Sequence, residues 1–139
     1  MAQHFTSSQE VVMWMRAHVT GALTSDSRLV KPGDGFIAWP GVANDPRKFV
    51  NAALKQGAAV CLVEASGVED FECTDASVGV YPGLQSASGT IAAEFFGHPS
   101  KEISVVAITG TNGKTSTAWW LAQALSSLAE PNALPCAMV

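Results

Sequence analysis

The sequence predicts an α/β fold: a small α/β unit followed by the opening of a second one. Two observations carry this. Short continuous apolar runs, "FIAW" at Phe36 to Trp39, "AAVCLV" at Ala58 to Val63 and "ISVVAIT" at Ile103 to Thr109, alternate with segments whose apolar residues recur at helical spacing. The stretch "AITGTNGKTSTAWW", Ala107 to Trp120, passes from a strand pattern to a helix pattern across a glycine-bearing turn.

Each element has its own signal. Ser7-x-x-Glu10 reads as a capping box opening a helix through about His18, with Val11, Trp14 and Met15 on one face. His18 reads as a helix-terminal side chain rather than a ligand. The polar run "TSDSR" and the turn signal Lys31-Pro32-Gly33-Asp34 lead into the strand at Phe36. Asp45-Pro46 supplies a carboxylate cap and a proline suited to the first helical position. The helix it starts turns Phe49, Val50, Ala53 and Leu54 inward and stops at Gly57.

The run Ala58 to Val63 suits a strand buried on both faces. A polar stretch from Glu64 to Thr74 has no clear period, and a short strand at Val78 to Val80 ends at "YPG". Beyond Gly83, "SASGTIAAEFFG" has helical spacing through Ile91 and Phe95, closed by Gly97 and Pro99. Ile103 to Thr109 reads as a buried strand, Lys114 to Leu128 as a helix, and "AMV" at the end as another strand. The domain boundary is expected near Leu84, giving units 1–84 and 85–139.

The chain has 139 residues, of which 47% are hydrophobic and 14% charged, which is a globular composition. The net charge of -4, with Lys and Arg scattered, argues against a nucleic-acid partner. Cys61, Cys73 and Cys136 are odd in number and form no CxxC pair, so reduced thiols are expected rather than a metal site or disulfide frame. No apolar run reaches membrane-spanning length and no basic-then-apolar leader opens the sequence, so a soluble, cytoplasmic protein with no membrane partner is expected.

The turn "GTNGKTS" has the context that a phosphate-binding loop requires. Gly110 and Gly113 let the backbone curl and aim amide N–H groups at anionic oxygens, and the positive end of the following helix points the same way. Lys114 can reach the β- and γ-phosphates, and Thr115 offers a hydroxyl to Mg²⁺. The usual pattern places a small residue five before Gly113, where this chain has Ile108. A nucleoside triphosphate is the expected ligand. A second glycine pattern, Gly33 to Ala38, matches G-x-G-x-x-A, but it opens a strand rather than a helix and is read as a turn.

The compact loop "TGTNGKTS" resembles the Mur ligases, ATP-dependent amino-acid ligases of peptidoglycan precursor synthesis; folate polyglutamate ligases carry a similar loop. "SDSRLVKPGDGFIAWPG", a helix and "QGAAVCLVE" resemble the UDP-substrate-binding domain shared by the ligases adding the third residue and the D-Ala-D-Ala dipeptide. "EFFGHPSKEISVVAITGTNGKTS" is similar to the third-residue, MurE-type enzymes in particular.

The resemblance implies a UDP-substrate-binding α/β domain followed by the first part of a P-loop ATPase domain. It implies ATP and Mg²⁺ as cofactors, and UDP-N-acetylmuramoyl dipeptide and an amino acid (diaminopimelate or lysine) as substrates, joined through an acyl phosphate. The family's uridine-diphosphate contacts fall on Ser25, Ser27, Val42, Ala43 and Asn44. Its ATP contacts fall on Thr111, Asn112, Gly113, Lys114, Thr115, Ser116 and Thr117, with Lys114 in the catalytic role and Thr115 toward the metal. Arg28 could add charge near the pyrophosphate.

After Lys114 the only acidic residue is Glu130, so a complete catalytic set is not expected in this chain, which reads as an inactive N-terminal portion of a longer ligase. Apolar residues of the last helix, including Trp119, Trp120, Leu121, Leu125 and Leu128, are expected either to drive self-association or to stay loosely ordered. Two alternatives stay open: a D-Ala-D-Ala-adding Mur ligase, or a non-catalytic nucleotide-binding module.

Overall fold

The computed structural model describes residues 1–42, 44–71, 73–102 and 106–128. Two compact units divide the chain, Met1–Glu102 and Ile103–Val139. In the first, the elements run β1 (Gln3–His4), α1 (Ser8–His18), β2 (Leu23–Thr24), β3 (Gly35–Ala38), α2 (Val50–Gln56), β4 (Val60–Glu64), β5 (Val78–Tyr81) and α3 (Leu84–Phe95). The five strands form one sheet in the order β1-β5-β4-β3-β2, and every neighbouring pair is parallel.

Parallel strands need crossovers; α1 lies in that from β1 to β2 and α2 in that from β3 to β4, and with α3 they cover both sheet faces. On one face, Val11, Met15 and Trp14 of α1 and Leu84 and Ile91 of α3 pack with Ile37, Val60 and Leu62. On the other, Val50 and Ala53 of α2 pack with Phe36, Ala38, Cys61, Val63, Val78 and Val80. Alternate residues of β3 and β4 therefore enter opposite cores, as a continuous apolar run in a doubly covered strand requires. All five residues of β4 are buried.

The expected caps and stops are present with one shift. Ser7 caps α1, but its hydroxyl accepts from the Gln9 N–H at 3.3 Å, one position nearer than a capping box would place it. The His18 ring nitrogen Nδ1 lies 2.8 Å from the Trp14 carbonyl, a helix-terminal role. Gly57 closes α2 at φ 107°, where a side chain would be strained. Gly33, at φ 89°, belongs to the turn before β3, so the dinucleotide-like glycine pattern serves a strand entry.

Four readings need correction or addition. The chain after Asp45 first makes a 3-10 turn, Pro46–Phe49, and only then α2. Phe49 is 41% exposed and Leu54 only half-buried; the inward position of that turn belongs to Arg47. Leu23–Thr24 and Gln3–His4 are short edge strands that two residues could not announce. Residues 106–109 of the expected strand carry no ladder and Val106 is exposed, because a strand exists only where a neighbour takes its hydrogen bonds. Residues 103–105, Glu130, Cys136 and the expected strand 137–139 lie outside the described residues.

The boundary expected near Leu84 falls at the start of α3. That helix packs on α1 inside the first unit, where the Arg16 guanidinium donates to the carbonyls of Glu94 at 2.6 Å and Phe95 at 3.2 Å. In the second unit α4 spans Lys114–Leu128, the range predicted from its spacing.

Candidate functional site

Two candidate regions stand in separate units. In the first, Ser25 and Ser27 follow β2, while Val42 and Asn44 follow β3. Because β2 and β3 are adjacent and parallel, both stretches leave the same carboxyl edge of the sheet, where open α/β folds bind ligands. Ser25, Val42 and Asn44 are exposed and Ser27 is half-buried; Ala43 lies outside the described residues. Among the described residues neither serine hydroxyl has a hydrogen-bond partner.

The backbone around the serines is tightly turned. The Asp26 N–H donates to the Thr24 hydroxyl at 3.2 Å, and the Asp26 carboxylate accepts the Arg28 N–H at 3.0 Å. Arg28 is exposed and also forks onto Asp26, with Nε to Oδ1 at 2.9 Å and Nη2 to Oδ2 at 2.6 Å. That fork holds the Asp26 carboxyl down at about 2.

The turn ahead of α2 is closed by the Gly41 N–H, which donates to the Asn44 carbonyl at 2.9 Å. Asp45 then accepts the Arg47 N–H at 3.0 Å and forks with the Arg47 guanidinium, with Nη2 to Oδ2 at 2.7 Å. The Arg47 side chain beside it holds the Asp45 carboxyl below its ordinary range. Asp34, beneath the β2–β3 connection, accepts the N–H groups of Ala22 at 2.8 Å and Lys31 at 2.9 Å, and these donors lower its carboxyl too.

Two buried charged residues at this edge escape a sequence reading, Arg47 and Glu64. The Glu64 carboxylate ends the apolar strand β4 and accepts the N–H groups of Gly83 and Leu84 at the start of α3. A carboxylate directly after a continuous apolar run was the available signal for Glu64. Arg47, two residues after a capping aspartate, had none beyond that spacing.

In the second unit, Gly110 has φ 155° and Gly113 has φ 77°, the latter immediately before α4. Thr111 to Thr117 are exposed. The Thr117 N–H returns to the Gly113 carbonyl at 2.9 Å, which leaves the first-turn amides pointing out of the helix start. Among the described residues, the N–H groups of Thr111 to Ser116 have no protein acceptor. Lys114 folds back over the loop, its Nζ donating to the carbonyls of Gly110 at 2.6 Å and Thr111 at 3.4 Å. A cation, a helix N-terminus and unpaired amides thus share one exposed turn, an arrangement suited to an anion. No group of three metal-ligating side chains occurs among the described residues, nor any helix long and apolar enough to cross a membrane.

An open groove of about 340 Å³, lined by Met13 and Arg16 of α1 and Glu94 of α3 among others, shares no residue with either region.

No family model matches this sequence. The chain is 54% identical over 137 residues to the UDP-N-acetylmuramoyl-L-alanyl-D-glutamate--2,6-diaminopimelate ligase of Acidovorax sp. strain JS42, covering 96% of this chain and 27% of that protein. It is 40% identical over 131 residues to the ligase of the same name from Janthinobacterium sp. strain Marseille, covering 93% of this chain and 26% of the relative. The Chromobacterium violaceum ligase of that name is 46% identical over 114 residues, covering 79% and 22%. The chain therefore spans about a quarter of the length of the relatives it matches. At this identity, sustained along nearly all of its own sequence, it belongs to the Mur ligase family, beside the MurE-type ligases.

Proposed function

We propose that the chain carries the uridine-nucleotide-binding unit and the ATP phosphate loop of a ligase that joins diaminopimelate to UDP-N-acetylmuramoyl-L-alanyl-D-glutamate, in the cytoplasm. The observation that carries this reading is the pairing of extended similarity to ligases of that name with an open amide loop at the start of α4. The relatives' names favour diaminopimelate over lysine or D-Ala-D-Ala as the added group.

In this reading Ser25, Ser27, Val42, Ala43 and Asn44 bind the uridine diphosphate half of the substrate from the carboxyl edge of the sheet. Hydroxyl, amide and backbone groups suit a uracil and a pyrophosphate, and Arg28 adds a positive charge beside them. Thr111 to Thr117 cradle the ATP phosphates through backbone N–H groups, with Lys114 neutralising charge on the terminal phosphates.

The loop fits a triphosphate, since its amides lack protein acceptors among the described residues and Thr111 to Thr117 are exposed. It fits Mg²⁺ only as an ion arriving with the nucleotide. The Thr115 hydroxyl is a single hard oxygen ligand, the sort Mg²⁺ accepts alongside phosphates and water. Bound there, the ion would neutralise phosphate charge during phosphoryl transfer.

Calorimetric titration of the chain with UDP-N-acetylmuramoyl-L-alanyl-D-glutamate tests the substrate half. Saturable binding that weakens in Ser27→Ala is expected. A folded sample giving no heat at any concentration would remove the assignment.

A further inference from the structure

We propose that Arg47 is a positioning residue for Asn44, fixing it at the carboxyl edge of the sheet for the uridine half of the substrate; this rests on the substrate reading above. Arg47 is 6% exposed, and each of its three side-chain nitrogens is engaged. Nε and Nη2 fork onto the Asp45 carboxylate at 3.0 and 2.7 Å. Nη1 donates to the Glu64 carbonyl at 3.3 Å and to the Ser66 carbonyl, both at the end of β4. The guanidinium carbon lies 4.7 Å from the centre of the Phe71 ring.

A guanidinium this deeply buried, with an acceptor at each of its three nitrogens, is not placed to touch a ligand, so its effect must pass through what it holds. It holds the residue next to Asn44. Capping the turn before α2 needs only the Asp45 carboxylate and the Arg47 backbone N–H. The reach from Asp45 across to the Glu64 and Ser66 carbonyls is additional, and it ties the segment after β3 to the end of β4. Asn44 is then pinned on both flanks. The Gly41 N–H donates to its carbonyl on one side, and the Asp45–Arg47 fork with the fixed φ of Pro46 follows on the other. Lys48 Nζ donates to the Asn44 side-chain oxygen at 3.3 Å, which leaves the amide NH₂ as the free end for a ligand acceptor. A lysine at 47 would be a point charge, unable to serve a carboxylate and two carbonyls at once.

The test compares the whole 139-residue chain with Arg47→Lys and Asp45→Asn, the second of which keeps a capping side chain while losing the ionic fork. Two quantities are measured: calorimetric affinity for UDP-N-acetylmuramoyl-L-alanyl-D-glutamate, and amide hydrogen exchange at Gly41 against Val63 and Val80. Both variants are expected to bind about tenfold more weakly, the loss that one poorly made charge-assisted hydrogen bond corresponds to. Exchange at Gly41 is expected to speed up while Val63 and Val80 stay protected. Wild-type affinity in both variants would overturn the inference. So would loss of protection throughout β4 and β5 in both, which would make Arg47 a general support of the fold. A wild-type chain that binds no substrate would overturn the substrate reading itself, and this inference with it.

Discussion

The Glu64 carboxylate accepts the backbone N–H of Leu84 at 2.7 Å, and its other oxygen accepts that of Gly83 at 3.0 Å. A side chain at the end of β4 therefore satisfies donors that the first turn of α3 leaves open. Glu64→Gln keeps the shape but removes the charge and turns an NH₂ toward one of those donors. A loss of about 1.5–3 kcal/mol is expected, or roughly a 10 °C fall in Tm for a unit of this size. Thermal unfolding by circular dichroism checks it; an unchanged midpoint would deny the carboxylate this role.

Gly79 of β5 lies beneath Trp14 and Phe5. A methyl group there would come to 2.7 Å from Trp14 Cζ3 and 2.9 Å from Phe5 Cε2. Trp14 is buried in the core and Phe5 packs against it with ring centres 5.1 Å apart, so Gly79→Ala is expected to cost about 1–3 kcal/mol as overpacking. The emission of Trp14 should shift with it. A variant as stable as wild type would show that the ring has room to move.

These two positions also show where sequence reading stops. The strand β4 was legible because its first four residues, buried on both faces, are a continuous apolar run, and α4 because Gly113 breaks the chain where helical spacing begins. Gly79 was silent, since a glycine in a strand does not name the ring above it. Arg47 gave no signal, because its burial depends on Asp45 and on carbonyls some twenty residues on. The glycine turn ahead of α4 was legible from spacing alone, since Gly110, Gly113 and the helix start come from one contiguous stretch. The nearness of Ser25 and Asn44 to one sheet edge was not: it follows only from the parallel pairing of β2 with β3, and only a family likeness singled them out.

Acid sensitivity should trace in part to Asp34. Its folded carboxyl is held below the ordinary range by the N–H groups of Ala22 and Lys31. The stabilisation is present in full above the unfolded carboxylate value, about 4, and is lost as pH falls through the lower folded value. Urea midpoints measured from pH 6 down to pH 3 should fall more steeply for wild type than for Asp34→Asn. Parallel curves for the two would place the acid-labile group elsewhere.

Cys61 is fully buried between β4 and α2, and burial pushes its thiol up to about 12; burial also raises Cys73. A protonated, enclosed thiol is a poor nucleophile. Iodoacetamide at pH 8 should leave both unmodified in the folded chain and modify both once urea unfolds it. Peptide mass mapping reads the two sites separately. Rapid labelling of Cys61 under native conditions would mean that the α2 side of the core opens readily.

Lys114 spends its charge on the loop itself, donating to the Gly110 and Thr111 carbonyls. To meet a phosphate it must leave those carbonyls for a stronger, fully charged acceptor, while the amides of Thr111 to Ser116 keep their direction. The two side chains at the start of α4 should therefore respond differently to substitution. Lys114→Ala removes a cation, so ATP affinity should fall ten- to a hundredfold, about 1.5–3 kcal/mol, with or without Mg²⁺. Thr115→Ala removes only the hydroxyl proposed to meet the metal, so its loss should appear with Mg²⁺ and vanish in EDTA. Binding of UDP-N-acetylmuramoyl-L-alanyl-D-glutamate to the first unit should survive both changes, which guards against a general loss of fold. Calorimetry under the two metal conditions separates the cases. Lys114→Ala with undiminished ATP affinity would mean that the exposed turn does not hold a nucleotide, whatever its amides face.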